Sequence, residues 1–157
     1  MKIKIRKASI DDLGILSDLN REVQSLHHQI DPVLFKSANA ADIKKDIEKF
    51  IHDPKGGVLL AIVDDSAQGF ISYHEGALKE SGLTHKIPMI FIHHMGVLEK
   101  QRGKGIGSML LQSVRKIAEQ KGIERIQLDV WTLNLDAKTF FQKRGFRTIN
   151  EIMLNNI

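Results

Sequence analysis

The stretch Gln101-Arg102-Gly103-Lys104-Gly105-Ile106-Gly107-Ser108 concentrates the residue types that hold a phosphate. Three glycines at alternate positions let the backbone pass close to a ligand. An amphipathic helix begins at the end of the loop, and its first N–H groups are unpaired and carry a partial positive charge. Arg102 and Lys104 add charge beside it. The pattern predicts an anion site that fits a pyrophosphate. It is not a Walker A loop, which closes with Gly-Lys-Ser/Thr. It is not a dinucleotide fingerprint either, because Gly103-x-Gly105-x-Gly107 is one residue short of G-x-G-x-x-G. The bland alternative is a turn whose glycines serve helix–strand packing. An unrelated nucleotide-phosphate binder is a third reading.

The elements that must position this loop follow from periodicity. Lys2 to Arg6 alternates as a strand. Ser9 and Asp12 form a capping-box pair ahead of a helix with Leu16, Leu19, Val23 and Leu26 on one stripe, ended by Asp31-Pro32. A second helix runs from about Ala41, with Ile43, Ile47, Phe50 and Ile51 on one side. Strands are expected at 58–63, 68–75 and 88–97, the first two joined through Asp64-Asp65-Ser66. A helix from Gly105 to about Lys121 buries Ile106, Met109, Leu110, Val114, Ile117 and Ala118, and Gly122 ends it. A strand at 125–130, a helix at 135–144 capped by Asn134, and a last strand at 146–153 complete the order. The order predicts an α/β fold with a mixed sheet, antiparallel in its first half, flanked by helices, as one domain over residues 1–157.

Composition narrows the chemistry. The chain has no cysteine. That excludes disulfides, thiolate metal sites and a cysteinyl acyl-enzyme, and suits the cytoplasm. Net charge is only +4, with no basic run carrying interleaved aromatics, so nucleic acid is not an expected partner. No run approaches the roughly 18 apolar residues of a membrane span. The seven histidines show no i, i+4 helical pair and no H-E-x-x-H, so no metal site is expected.

Gln-Arg-Gly-Lys-Gly-Ile-Gly ahead of an amphipathic helix resembles the coenzyme A pyrophosphate loop of GCN5-related (GNAT) N-acetyltransferases. The likeness extends to Met95-Gly96-Val97 upstream, and to Asn134, Ala137 and Phe140 through Phe146 downstream. It covers nearly the whole chain. The resemblance implies the GNAT fold and acetyl-CoA as acyl donor. It assigns cofactor contacts to Met95, Gly96, Val97, Gln101, Arg102, Gly103, Lys104, Gly105, Ile106, Gly107, Ser108, Asn134, Ala137 and Phe141. It implies that the strands ending near Val97 and Val130 splay, and that pantetheine lies along the first like an added strand. It implies direct acetyl transfer to an amine-bearing acceptor, and a homodimer in which Ile152-Met153-Leu154 takes part.

The acid and the base are less uniform in that family. Many members carry Tyr where this chain has Phe141, so a hydroxyl to protonate the leaving thiolate is missing there. That departure gives weight to a catalytically silent acyl-CoA-binding regulatory module as an alternative. An amine acceptor is protonated at pH 7 and must lose a proton first. His93 matches the position of a histidine in arylalkylamine-type members, and Glu75 on the neighbouring strand is the second candidate. Strict alternation would put Phe91, His93, Met95 and Val97 on one face and His94 on the other. The segment from Leu26 to Phe35 and the loop 76–86 are the expected walls of the acceptor pocket.

Overall fold

The computed structural model describes residues 2–157. Its elements run β1 (Ile3–Lys7), α1 (Leu13–Ile30), α2 (Ala40–His52), β2 (Gly56–Val63), β3 (Ser66–Leu78), β4 (Ile87–Val97), α3 (Ile106–Gln120), β5 (Ile126–Leu128) and α4 (Leu135–Gln142). Short 3₁₀ turns at Ile10–Asp12 and Glu99–Gln101 precede α1 and α3. The five strands lie in chain order, β1 to β4 antiparallel and β5 parallel to β4 through the α3 crossover.

Local chemistry explains most boundaries. Asp12 accepts from the Ser9 N–H at 2.8 Å, the reach-back half of the expected box. Asn39 caps α2 by accepting from the N–H groups of Ala41 and Asp42. The β2–β3 hairpin closes on Asp64 and Asp65, both left-handed, as a two-residue turn matched to strand twist requires. Gly122, at φ +65°, ends α3.

The sheet separates two cores. On one face Leu59, Ile71, Tyr73, Ile90 and Ile92 meet Ile106, Leu110, Leu111 and Val114 of α3 and Phe141 of α4. On the other, Val58, Leu60 and Phe70 meet Leu16 and Leu19 of α1 and Ile43 and Ile47 of α2. Each fully buried aliphatic contributes about 1.5–3 kcal/mol, which clamps the helices to the sheet.

Several sequence expectations need correction. Phe146 docks against Phe141, but residues 147–157 form no strand and lie exposed. A strand needs a partner edge, and β5 offers only three residues before the chain turns at Trp131–Asn134. The α3 stripe buries Leu111 in place of Met109, and Leu26 is exposed at the end of α1. In β4, His94 pairs with Ser72 and Ile92 with Tyr73, so His93 is an extra residue in a bulge. The bulge breaks the alternation. Ile90 and Ile92 before it, and Met95 and Val97 after it, all join the α3 core, while His93 and His94 both reach Phe50 of α2.

Candidate active site

β4 pairs with β5 only from Ile90 to Ile92. Beyond that point the strands part, and the edge of β4 from His93 to Val97 has no strand partner among the described residues. The bulge at His93 sits where the parting begins. A cleft with a bare strand edge is thus built by one inserted residue and a short β5.

The glycine loop lies at the far end of that edge. Gly103 and Gly105 have φ of +77° and +86°, the left-handed region in which a side chain is strained. Gly105 is the residue before α3, and no side chain caps the helix. The first-turn N–H groups of Ile106, Gly107 and Ser108 are therefore free for an anion. A Cβ at Gly105 would meet nothing within 4 Å, so the space over the helix start is open. Uncapped donors, a partial positive charge and open space fit a pyrophosphate.

The charged loop residues divide. Arg102 turns away, donating to the Val97 carbonyl at 3.1 Å and lying 3.4 Å from Glu22 of α1. It ties the end of β4 to α1. Lys104 donates to the Gln101 side chain at 2.9 Å and stays at the surface. A cation absent from the sequence reading is bonded to the first turn of α3. Arg144 donates to the Ser108 hydroxyl through Nε at 3.1 Å and Nη2 at 2.6 Å, and its guanidinium lies 3.6 Å from the Phe140 ring centroid. With Arg115 and Lys143 it lines a recess of about 460 Å³ beside the first turns of α3. Its signal in sequence was only a basic residue before Gly145.

The α4 residues also sort differently from expectation. Asn134 caps α4, accepting from the Ala137 N–H at 3.2 Å, and Ala137 packs on the α3 core. Phe141 is buried in that core. Phe140 is the aromatic next to the helix start. A Cβ on Gly107 would come within 3.0 Å of its Cζ and 3.1 Å of Met95 Cε, so glycine there lets α3, α4 and the end of β4 meet. Gly96 is equally tight, its missing Cβ standing 2.9 Å from Phe70 and Val23 side chains.

The titratable groups fall on two faces. Glu75 lies on the α3 side, 2.5 Å from Lys121 Nζ. His93 lies on the α2 side, 4.7 Å from the Phe50 ring and 2.5 Å from His74. His94 reaches Ser72 Oγ at 3.3 Å and Asp46 at 3.8 Å. Burial holds His93 below the ordinary imidazole value, reinforced by His74 and His94, with Asp129 and Asp46 opposing. Burial lowers His94 as well. His93 and Glu75, both singled out in the sequence, are thus not brought together. The segment from Leu26 to Phe35 does dock beside the cleft: Phe35 meets Trp131, just past β5, edge-on at 4.9 Å, and His28 Nδ1 lies 2.7 Å from the Phe35 carbonyl.

Residues 20–146 match the model of the acetyltransferase (GNAT) family. The chain belongs to the GNAT family. An uncharacterized N-acetyltransferase of Archaeoglobus fulgidus is 24% identical over 145 residues, covering 92% of this chain and 93% of that protein. The uncharacterized N-acetyltransferase YdgE of Bacillus subtilis is 37% identical over 60 residues, 38% of each chain. The chain thus spans well under half the length of that Bacillus relative. Among solved structures, the aminoglycoside N-acetyltransferase AAC(6')-Iy in complex with CoA superposes with a TM-score of 0.71 at 18% identity, covering 99% of this chain and 95% of that one. This GNAT chain has the mixed five-stranded sheet flanked by helices expected of the family. No helix among the described residues is long and apolar enough to cross a membrane.

Proposed function

We propose that the chain transfers an acetyl group from acetyl-CoA to a primary amine by direct attack in a ternary complex. One observation carries this reading: the uncapped start of α3 stands at the end of a bare β4 edge whose other end holds the His93 bulge. Anion-binding donors, an edge for the pantetheine amides and a titratable ring lie in line along one cleft. Acetyl-CoA supplies an activated thioester carbonyl there.

The protein's own contributions follow. The N–H groups of Ile106, Gly107 and Ser108 hold the pyrophosphate, with Arg144 adding charge. The outward-facing backbone groups at the end of β4, apart from the Val97 carbonyl that Arg102 holds, align pantetheine as an added strand. A backbone N–H near Val97 polarises the carbonyl. His93 takes the amine proton, for which its depressed pKa keeps it neutral at pH 7. Glu75, paired to Lys121 on the other face, is the less favoured base. Phe141 stands where the tyrosine would be, buried and without a hydroxyl, and this is the observation behind a silent CoA-binding module as second reading.

A cysteine-free chain makes the test simple, because any thiol released is coenzyme A. A panel of small amines, amino acids, aminoglycosides and peptide N-termini, incubated with acetyl-CoA, is expected to release thiol with at least one class. Binding of acetyl-CoA by calorimetry with no release from any amine supports the silent module instead. Absence of binding at millimolar acetyl-CoA overturns both.

A further inference from the structure

We infer that His74 and His93 form a single proton-carrying unit, in which His74 orients the His93 ring and hands its proton to solvent. The inference rests on the reading of His93 as the base.

His74 Nδ1 lies 2.5 Å from His93 Nε2, with the rings nearly parallel at 24° and 4.7 Å between centroids. Phe91 stacks on His74 at 5.1 Å and Phe50 covers His93 at 4.7 Å. Two aromatic walls therefore fix the pair in one orientation. The cross-strand register places His74 opposite Phe91. The bulge pushes His93 out of the ladder and swings its ring onto His74.

A contact between two ring nitrogens holds one proton, so one ring donates and the other accepts. A second proton in that contact would place like charges at close range, so the shared proton ties the two rings together. The groups facing it are His94 on β4, Asp46 on α2 and Asp129 past β5. Neither ring is spoken for by a carboxylate or backbone carbonyl among the described residues. With His93 donating from Nε2, its Nδ1 lone pair is open to the amine. The amine proton enters at Nδ1, the Nε2 proton crosses to His74 Nδ1, and the His74 Nε2 proton leaves to water. Charge and proton count balance at each transfer, and the reverse relay, in which water returns a proton to His74 Nε2 and His93 Nδ1–H protonates the departing thiolate, restores both tautomers. Gly76 keeps the exit clear, since a Cβ there would stand 3.2 Å from His74 Nε2.

The test uses the ligand-free full chain and its variants. Long-range ¹H–¹⁵N spectra of the parent read the tautomer of both rings, and a proton on His93 Nε2 facing a bare His74 Nδ1 is expected. His74→Gln keeps a hydrogen-bonding side chain but cannot titrate. It is expected to raise the His93 midpoint toward the ordinary value and to lower kcat roughly tenfold, less than loss of a positioned base, with KM for acetyl-CoA unchanged. A neutral parent in which His93 carries its proton on Nδ1 overturns the unit without any variant. So does a His74→Gln protein with parental kcat, pH profile and His93 midpoint, provided His93→Gln is inactive. Full turnover by His93→Gln removes the base reading itself.

Discussion

Lys121 Nζ lies 2.5 Å from Glu75 Oε1, joining the end of α3 to the middle of β3 on the face away from His93. The contact raises the Lys121 pKa through a hydrogen bond to the carboxylate. A carboxylate committed to an exposed lysine is a poor general base, and surface pairs of this kind contribute little to stability. Glu75→Gln is therefore expected to keep turnover within about threefold of the parent and to leave the thermal midpoint nearly unchanged. A loss of a hundredfold or more in kcat would move the base from His93 to Glu75.

Gly105 gives the sharpest test of the phosphate loop. At φ +86°, any side chain there costs about 1–2 kcal/mol in strain, well within the roughly 5–15 kcal/mol of a typical domain. Gly105→Glu is therefore expected to fold, because the space around it is open. It places a carboxylate over the uncapped helix start and is expected to abolish acetyl-CoA binding by calorimetry. Gly105→Ala carries the same strain without charge and is expected to weaken binding far less. Equal, parental affinity in both variants would show that the pyrophosphate lies elsewhere.

How far the sequence reached can be judged from these residues. The glycine loop was legible because left-handed backbone and helix starts demand particular residue types, and Gly103, Gly105 and Gly122 all adopt positive φ. The helices were legible from their apolar stripes. The bulge at His93 was not, since an extra residue in a strand leaves no mark on composition and reverses every face assignment beyond it. The Arg144–Ser108 contact and the His74–His93 pair span 36 and 19 residues, and no local pattern reports such separations. The expected strand at 146–153 does not form, because the edge strand β5 offers only three residues to pair with and no local pattern reports how long a neighbouring strand will be.

Acid stability should fall in two separate windows. His27, His93 and His94 are all held below their ordinary value, in each case mainly by burial. Below about pH 6.5 the unfolded chain takes up protons at these rings that the folded chain refuses, so stability declines from there downward. Asp12 is lowered from 3.8 to about 2, chiefly by its hydrogen bond from Arg6. Its contribution is complete above pH 3.8 and is lost as pH falls toward 2. Thermal melts from pH 8 to 2 are expected to show both declines. Asp12→Asn should remove the lower one and leave the upper. A midpoint constant between pH 7 and 5 would contradict the histidine assignment.

The C-terminal segment bears on assembly. Ile152, Met153 and Leu154 are 93%, 94% and 83% exposed. Nearby, the outer edge of β5 is bare and borders a hollow of about 820 Å³ with Met89, Ile123 and Phe146 in its lining. Apolar side chains of this kind, beside an unpaired edge, favour burial against a second copy. Sedimentation is expected to give twice the 17.7 kDa chain mass at high concentration, and Leu154→Asp to return it to the single-chain value. A mass of 17.7 kDa for the parent at every concentration would rule the dimer out.

His93 is the residue on which proton handling turns. Its neutral form is the active one, so kcat/KM should rise with pH through an apparent value below 6.5, the direction set by burial and by His74 and His94. His93→Ala is expected to lower turnover by roughly 10²–10⁴-fold, the usual contribution of a positioned base. Acetyl-CoA affinity should barely change, because the uncapped α3 start lies at the other end of the β4 edge. Phe141→Tyr is expected to add little, since the ring sits within the core against Phe140 and Phe146. A residual rate that climbs log-linearly with pH in His93→Ala would mark direct deprotonation of the amine by solvent. Turnover by His93→Ala within about threefold of the parent at every pH eliminates the histidine and leaves Glu75 or water as the base.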